Sequence, residues 1–275
     1  MEKRTKILIA AILIAVLLGG AGYGYFFVYN ERWRIPGNKI AIIELEGEIT
    51  GDTEGGTHPE TVRKLLIRAE EDRGVQAVVL RINSGGGTAG ASWEIYQAVK
   101  RVEKPVVVSI GDIGASGAYL VAVAADEIVA TPMSMIGSIG AALEFPFDIP
   151  VNESKEAEEF SALTSGEFKD VFTDYRLNES ERRYLGERLA IVLEVFLQCV
   201  TEQRNISEEN MTILAKGGWY TGEEGLRMGL VDKLGNLDDA IEEAAIRAHI
   251  SLEDTRVVSL RLEDSKVIEE AYSVR

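Results

Sequence analysis

KPVVVSIGDIGASGAYLVAVAADEIVATP, residues 104–132, is the stretch on which the reading of the fold turns. Pro105 opens a run of β-branched residues, PVVVSI, that reads as a buried strand. A turn of small residues, GDIGASG, follows, then a helix of small apolar residues, AYLVAVAA, then a second strand, EIVA. The same alternation continues upstream. IAIIELEG (residues 40–47) and QAVVLRI (76–82) read as strands. HPETVRKLLIRAEED (58–72) reads as a helix with Val62, Leu65, Leu66 and Ala69 on one face, and ASWEIYQAVKRVE (91–103) as another. Strand, helix, strand at this spacing predicts an α/β domain with a parallel sheet and right-handed crossovers.

Downstream the pattern loosens. Residues 144–159 carry Pro146, Pro150 and many acids and read as an exposed loop. Asn178 is placed to cap a long helix, with Glu181 completing a capping box. Its apolar stripe is Leu185, Leu189, Val192, Phe196 and Val200. A glycine-punctuated segment, WYTGEEGLRMGLVDKLG, leads to a last helix from Leu237 to about His249.

Composition narrows the function. The chain has 275 residues, and its 29 Lys plus Arg against 45 Asp plus Glu give a net charge of −16. That balance argues against a nucleic-acid binder, which needs a basic surface to neutralise phosphates. A single cysteine, Cys199, rules out a disulfide within the chain and a cysteine-rich metal site. Two histidines, His58 and His249, leave little material for a histidine zinc site or a Ser-His-Asp triad, and both read as surface residues.

Residues 7–29, ILIAAILIAVLLGGAGYGYFFVY, form an uncharged apolar run of the roughly 20 residues that a helix needs to cross a bilayer. Lys3, Arg4 and Lys6 precede it, and Tyr23, Tyr25, Phe26, Phe27 and Tyr29 gather at its far end. Basic residues in front and aromatic residues behind predict a cytoplasmic N-terminus and a chain that continues outside the cytoplasm. A cleaved signal peptide is the competing reading, with Gly19 to Gly22 as the small-residue site, but the apolar character persists through Val28.

Two glycine-rich turns each follow a predicted strand. RINSGGGTAG, residues 81–90, lets backbone amides approach a ligand and face an oxyanion; it is equally a tight strand-to-helix turn. The dinucleotide GxGxxG order and a Walker lysine are both absent. In GDIGASG, Ser116 stands where the chain enters a helix, as either an N-cap or an outward-facing nucleophile with the Gly117 amide beside it. A nucleophile needs a base, and a desolvated lysine can serve as one. Lys155 lies among carboxylates in NESKEAEE, whereas Lys169 lies beside Phe168, Val171 and Phe172, an apolar setting that favours it. A solvated surface lysine is the competing reading for both.

LRINSGGGTAGASWEIYQAV and KPVVVSIGDIGASGAYLVAVAADEIVATPMSMIGSIG together resemble the core of the signal peptide peptidase A family of membrane serine proteases. TSGEFKDVFTDYRLNESERRYL is similar to its lysine segment, and WYTGEEGLRMGLVDKLGNLDDAI to its C-terminal signature. The likeness runs in order from about Ile40 to Arg247. It implies Ser116 as nucleophile, Lys169 as general base, and oxyanion donors at Gly117 and in the SGGG turn, with Gly87 the better candidate and Gly86 the next. Two departures are Gly85, where the family has Pro, and Ala118 after Gly117, where a second Gly is common.

The resemblance further implies a Clp-protease/crotonase-like spiral of βαβ units, a homo-oligomer, peptide substrates, and no metal or other cofactor. On this reading residues 1–6 are a cytoplasmic basic N-terminus, 7–29 a transmembrane anchor in contact with membrane lipid, 30–38 a linker, 39–250 the Ser-Lys peptidase domain and 251–275 a C-terminal segment. Released signal peptides and other short membrane-derived peptides are the expected substrates. The alternatives are a stomatin-type processing protease or an acyl-CoA hydratase of the same fold, or a non-catalytic membrane scaffold. A hydratase would need paired acids and a CoA site, and it leaves the Ser116–Lys169 coincidence unexplained.

Overall fold

The structure, a computed structural model, describes residues 37–51, 56–143, 168, 177–263 and 265–273. The predicted span at 7–29, the acidic loop and both candidate lysines, Lys155 and Lys169, lie outside the described residues. Among those described, no helix is long and apolar enough to cross a membrane.

The element order is β1 (Asn38–Glu46), α1 (Pro59–Glu71), β2 (Val75–Ser84), α2 (Ala89–Val99), β3 (Val106–Ala115), α3 (Gly117–Ala122), β4 (Glu127–Ala130) and β5 (Met135–Gly137). It continues with α4 (Glu179–Gln203), α5 (Glu208–Leu214), β6 (Trp219–Thr221), α6 (Gly222–Met228), β7 (Lys233–Leu234), α7 (Leu237–Arg247), β8 (Thr255–Glu263) and β9 (Lys266–Tyr272). The strands form one sheet in the order β6-β5-β3-β2-β1-β8-β9, with β4 beside β3 and β7 beside β4. Pairing is parallel from β8 through β1, β2 and β3 to β5; the edge strands β9 and β6 are antiparallel.

Strand β1 shows why the sheet is buried on both faces. Ile40 and Ile42 point to one side, with Ala77, Val79, Val107 and Val129, and meet Ala240, Ile241, Ala244 and Ala245 of α7. Ala41, Ile43 and Leu45 point to the other, under α1, α2, α3 and the C-terminal half of α4. An apolar residue at nearly every position is what a doubly covered parallel strand requires.

Helix ends are fixed by the residues flanking them. His58 caps α1 by accepting from the Glu60 amide at 3.2 Å, with Pro59 in the first helical position. At the other end Lys104 donates to the carbonyls of Ala69, Glu70 and Asp72 at 2.7, 2.7 and 2.8 Å. Asn178 and Glu181 form the expected capping box on α4.

Three details differ from the sequence reading. Strand β3 runs on through GDIGA to Ala115, because Gly111 and Gly114 relieve crowding instead of turning the chain. A Cβ on Gly111 would lie 3.1 Å from the Arg81 guanidinium, and one on Gly114 would lie 2.9 Å from the Ile110 side chain. Val192 of the predicted stripe is 37% exposed, while Leu185, Phe196 and Val200 are buried. The C-terminal segment, for which no element was predicted, supplies β8 and β9 to the sheet.

The end of α4 is locked to the sheet by charge. Arg204, its side chain 7% exposed, makes a forked pair with Asp232 at 2.7 and 2.8 Å, and Asp232 also accepts from the Ile128 amide of β4. Removing the carboxylate would strand a buried guanidinium. Asp232→Ala is therefore expected to lower unfolding free energy by roughly 3 kcal/mol, measured by urea denaturation, whereas Arg63→Ala on the exposed face of α1 should cost well under about 1 kcal/mol.

Candidate active site

The site begins with a mismatch between β2 and β3. Ile82 pairs with Ile110 but Ser84 with Gly114, so β3 spends four residues where β2 spends two. The Asn83 side-chain oxygen fills the offset by accepting from the Ile113 amide at 3.3 Å. The longer path brings the end of β3 alongside the SGGG turn.

At that end Ser116 adopts φ 52° and ψ −126°, a region that residues with a side chain rarely occupy and that costs on the order of 1–3 kcal/mol. It is held there by its own amide, which donates to the Gly137 carbonyl of β5 at 2.8 Å, and by its carbonyl, which accepts from Leu120 at 3.0 Å. Its side chain makes no capping bond to α3. Ser116 thus stands at the N-cap position of α3 without acting as a side-chain cap. The half-buried hydroxyl has no hydrogen-bond partner among the described residues.

The SGGG turn lies directly against this step. A Cβ on Gly86, which has φ +104°, would sit 2.8 Å from the Ser116 Cβ and 2.7 Å from the Gly117 nitrogen. The Gly86 amide is given to the Ser84 hydroxyl at 3.1 Å, so Gly86 serves here by lacking a side chain, not as an available donor. Gly87 differs. The Gly86 carbonyl accepts from the Ile49 amide at 2.8 Å, and the Thr88 amide donates to the Ile49 carbonyl at 2.9 Å. In a trans peptide the C=O and N–H point in opposite directions, so the Gly87 N–H points away from Ile49. A Cβ built on Gly117 would lie 3.4 Å from the Gly87 nitrogen. Neither the Gly87 nor the Gly117 amide has an acceptor among the described residues. Two free amides beside a strained, unengaged serine are able to stabilise the oxyanion formed when that serine attacks a carbonyl.

Other reactive groups are accounted for elsewhere. His58 uses Nδ1 for its cap and Nε2 to donate to the Gly51 carbonyl at 2.9 Å, leaving no nitrogen free as a base. His249 is exposed beyond the end of α7. Burial pushes the Cys199 thiol up from its ordinary range, and burial holds the Tyr119 phenol well above its own while its hydroxyl donates to the Leu230 carbonyl. Lys169 lies outside the described residues. Its neighbour Phe168 stacks on Tyr184 of α4 with ring centroids 4.2 Å apart.

Ile49, Ser84 and Gly137 are the residues holding this geometry that sequence reading missed. Ile49 and Gly137 act through backbone groups and leave no side-chain signal. Ser84, two residues before Gly86, carries a recognisable one: serine hydroxyls accept from the amide two residues on.

A profile described as peptidase family S49 matches residues 98–251, and one described as Clp protease matches 38–138. A Methanocaldococcus jannaschii protein named as a protease is 31% identical over 268 residues, covering 94% of this chain and 82% of its own. Protease 4 of Haemophilus influenzae is 32% identical over 220 residues, covering 78% of this chain but only 35% of its own. Among solved structures, the membrane-bound stomatin-specific protease 1510-N in complex with a substrate peptide aligns with 83% of this chain and 94% of its own at 16% identity, with a TM-score of 0.53. That likeness shows the shared Clp-type α/β fold. The sequence matches go further, and they place the chain in peptidase family S49, among the serine proteases.

Proposed function

We propose that the chain is a membrane-anchored endopeptidase that uses Ser116 as nucleophile and Lys169 as general base to degrade released signal peptides and other short membrane-derived peptides. The observation that carries this reading is the strained Ser116 beside the amides of Gly87 and Gly117, all three without a partner for hydroxyl or amide among the described residues. Neutral Lys169 takes the hydroxyl proton as Ser116 attacks the peptide carbonyl, and the two amides receive the developing oxyanion. The same lysine protonates the leaving amine and then activates the water that releases the acyl-enzyme. The apolar residues next to Lys169 in sequence, of which Phe168 stacks on Tyr184, support a base kept neutral by desolvation. The apolar run at residues 7–29, with basic residues before it and aromatic residues after it, supports a membrane anchor with the catalytic domain outside the cytoplasm.

Ser116→Ala and Lys169→Ala should each abolish cleavage of a mixed peptide substrate by the full-length protein in detergent, while Lys155→Ala leaves the rate nearly unchanged. Full activity in Lys169→Ala would rule out that base. Because protonation disables a lysine base, the parent rate should rise with pH and collapse in acid. A rate independent of pH from about 5 to 9 with chemistry limiting contradicts the assignment.

We also propose that the enzyme works as a homo-oligomer. Ile191, Val192 and Val195 of α4 are 54%, 37% and 41% exposed and form one stripe at helical spacing. Ile191→Glu with Val195→Glu should reduce the sedimenting mass without lowering the helical content. An unchanged mass would exclude this stripe from the interface.

A further inference from the structure

Helix α2 buries Ala91, Ser92, Ile95, Tyr96 and Val99. Four of these fill the core. Ser92 is fully buried too, although a hydroxyl is poor filler, and its surroundings give the reason. Its Oγ donates to the Thr88 carbonyl at 2.9 Å, which also accepts from the Ser92 amide at 3.0 Å. On its other side the same oxygen lies against Gly117: a Cβ built there would be 2.1 Å from Ser92 Oγ and 2.9 Å from Ser92 Cβ. The first turns of α2 and α3 thus meet at this one side chain.

Thr88 directly follows Gly87, and Gly117 directly follows Ser116. One buried hydroxyl therefore holds the segment bearing the first free amide and rests against the residue bearing the second. Thr88 is itself tied to Ile49, so the Gly87 side is fixed to the segment that follows β1, and Ser92 transmits that position to Gly117. We propose that Ser92 is a positioning residue for the oxyanion site, setting the spacing and aim of the Gly87 and Gly117 amides without touching substrate. This rests on Ser116 being the nucleophile.

The test is Ser92→Ala in the full-length protein, with three readouts: steady-state peptide cleavage, the rate of Ser116 labelling by a fluorophosphonate, and affinity for a peptide aldehyde that forms a tetrahedral adduct. Misaligned donors act on the tetrahedral state and not on substrate binding. kcat, labelling rate and aldehyde affinity should therefore each fall about tenfold, with KM within about twofold of the parent. A side chain needed only for folding would lower the melting temperature and leave kcat per folded molecule intact, and that result overturns the proposal. Should Ser92→Ala not fold, Ser92→Cys, whose larger sulfur presses on Gly117, should show the same loss in kcat; parental kcat in that variant also overturns it. Failure of the parent to label, or labelling that persists in Ser116→Ala, removes the nucleophile and this proposal with it.

Discussion

The backbone of Gly86 passes so close to the Ser116–Gly117 step that no side chain fits between them, with a Cβ contact of 2.7 Å to the Gly117 nitrogen. That approach puts the Gly87 amide near the Gly117 amide, and any residue larger than glycine would drive the two apart. Its positive φ is a second reason for glycine. The other features of the turn, the Ser84 hydroxyl on the Gly86 amide and the Ile49 bridge on both sides of Gly87, keep this contact in place.

The contact also explains how a strained serine persists. A φ of 52° would relax if the chain ends around it could move. They cannot, because the Ser116 amide is spent on β5, its carbonyl on α3, and β3 is covered by core on both faces. Strain at Ser116 is thus sustained by burial elsewhere in the sheet. Gly137, which receives the Ser116 amide, is followed by Ser138 at φ 49°, so two strained serines flank one carbonyl.

The central βαβ units were legible because burial on both faces leaves almost continuous apolar strands, as in IAIIELE and QAVVLRI, and the start of α4 because Asn178 and Glu181 form a readable capping box. The reading erred where a residue serves a neighbour instead of its own backbone. Gly111 and Gly114 looked like turn residues but make room for Arg81 and Ile110. Ser116 was legible as nucleophile or cap, and its dihedral angles and the missing side-chain cap bond could not be read from its neighbours in sequence. Gly86 and Gly87 are the same residue type, yet one amide is consumed by Ser84 and the other has no acceptor among the described residues. Ile49 was illegible, since any residue with an amide and a carbonyl could make its contacts.

The Ile49 bridge has a consequence for the order of folding. It joins a segment after β1 to the turn after β2, and the Ser116 amide joins the end of β3 to β5, so the candidate site draws on four separate stretches of chain. Parallel pairings of this kind close long loops and form late. Until they register, Ser116 has neither its strained geometry nor its two amides. A nascent or unfolded copy is thereby a harmless polypeptide, and proteolytic competence arrives only with the finished sheet.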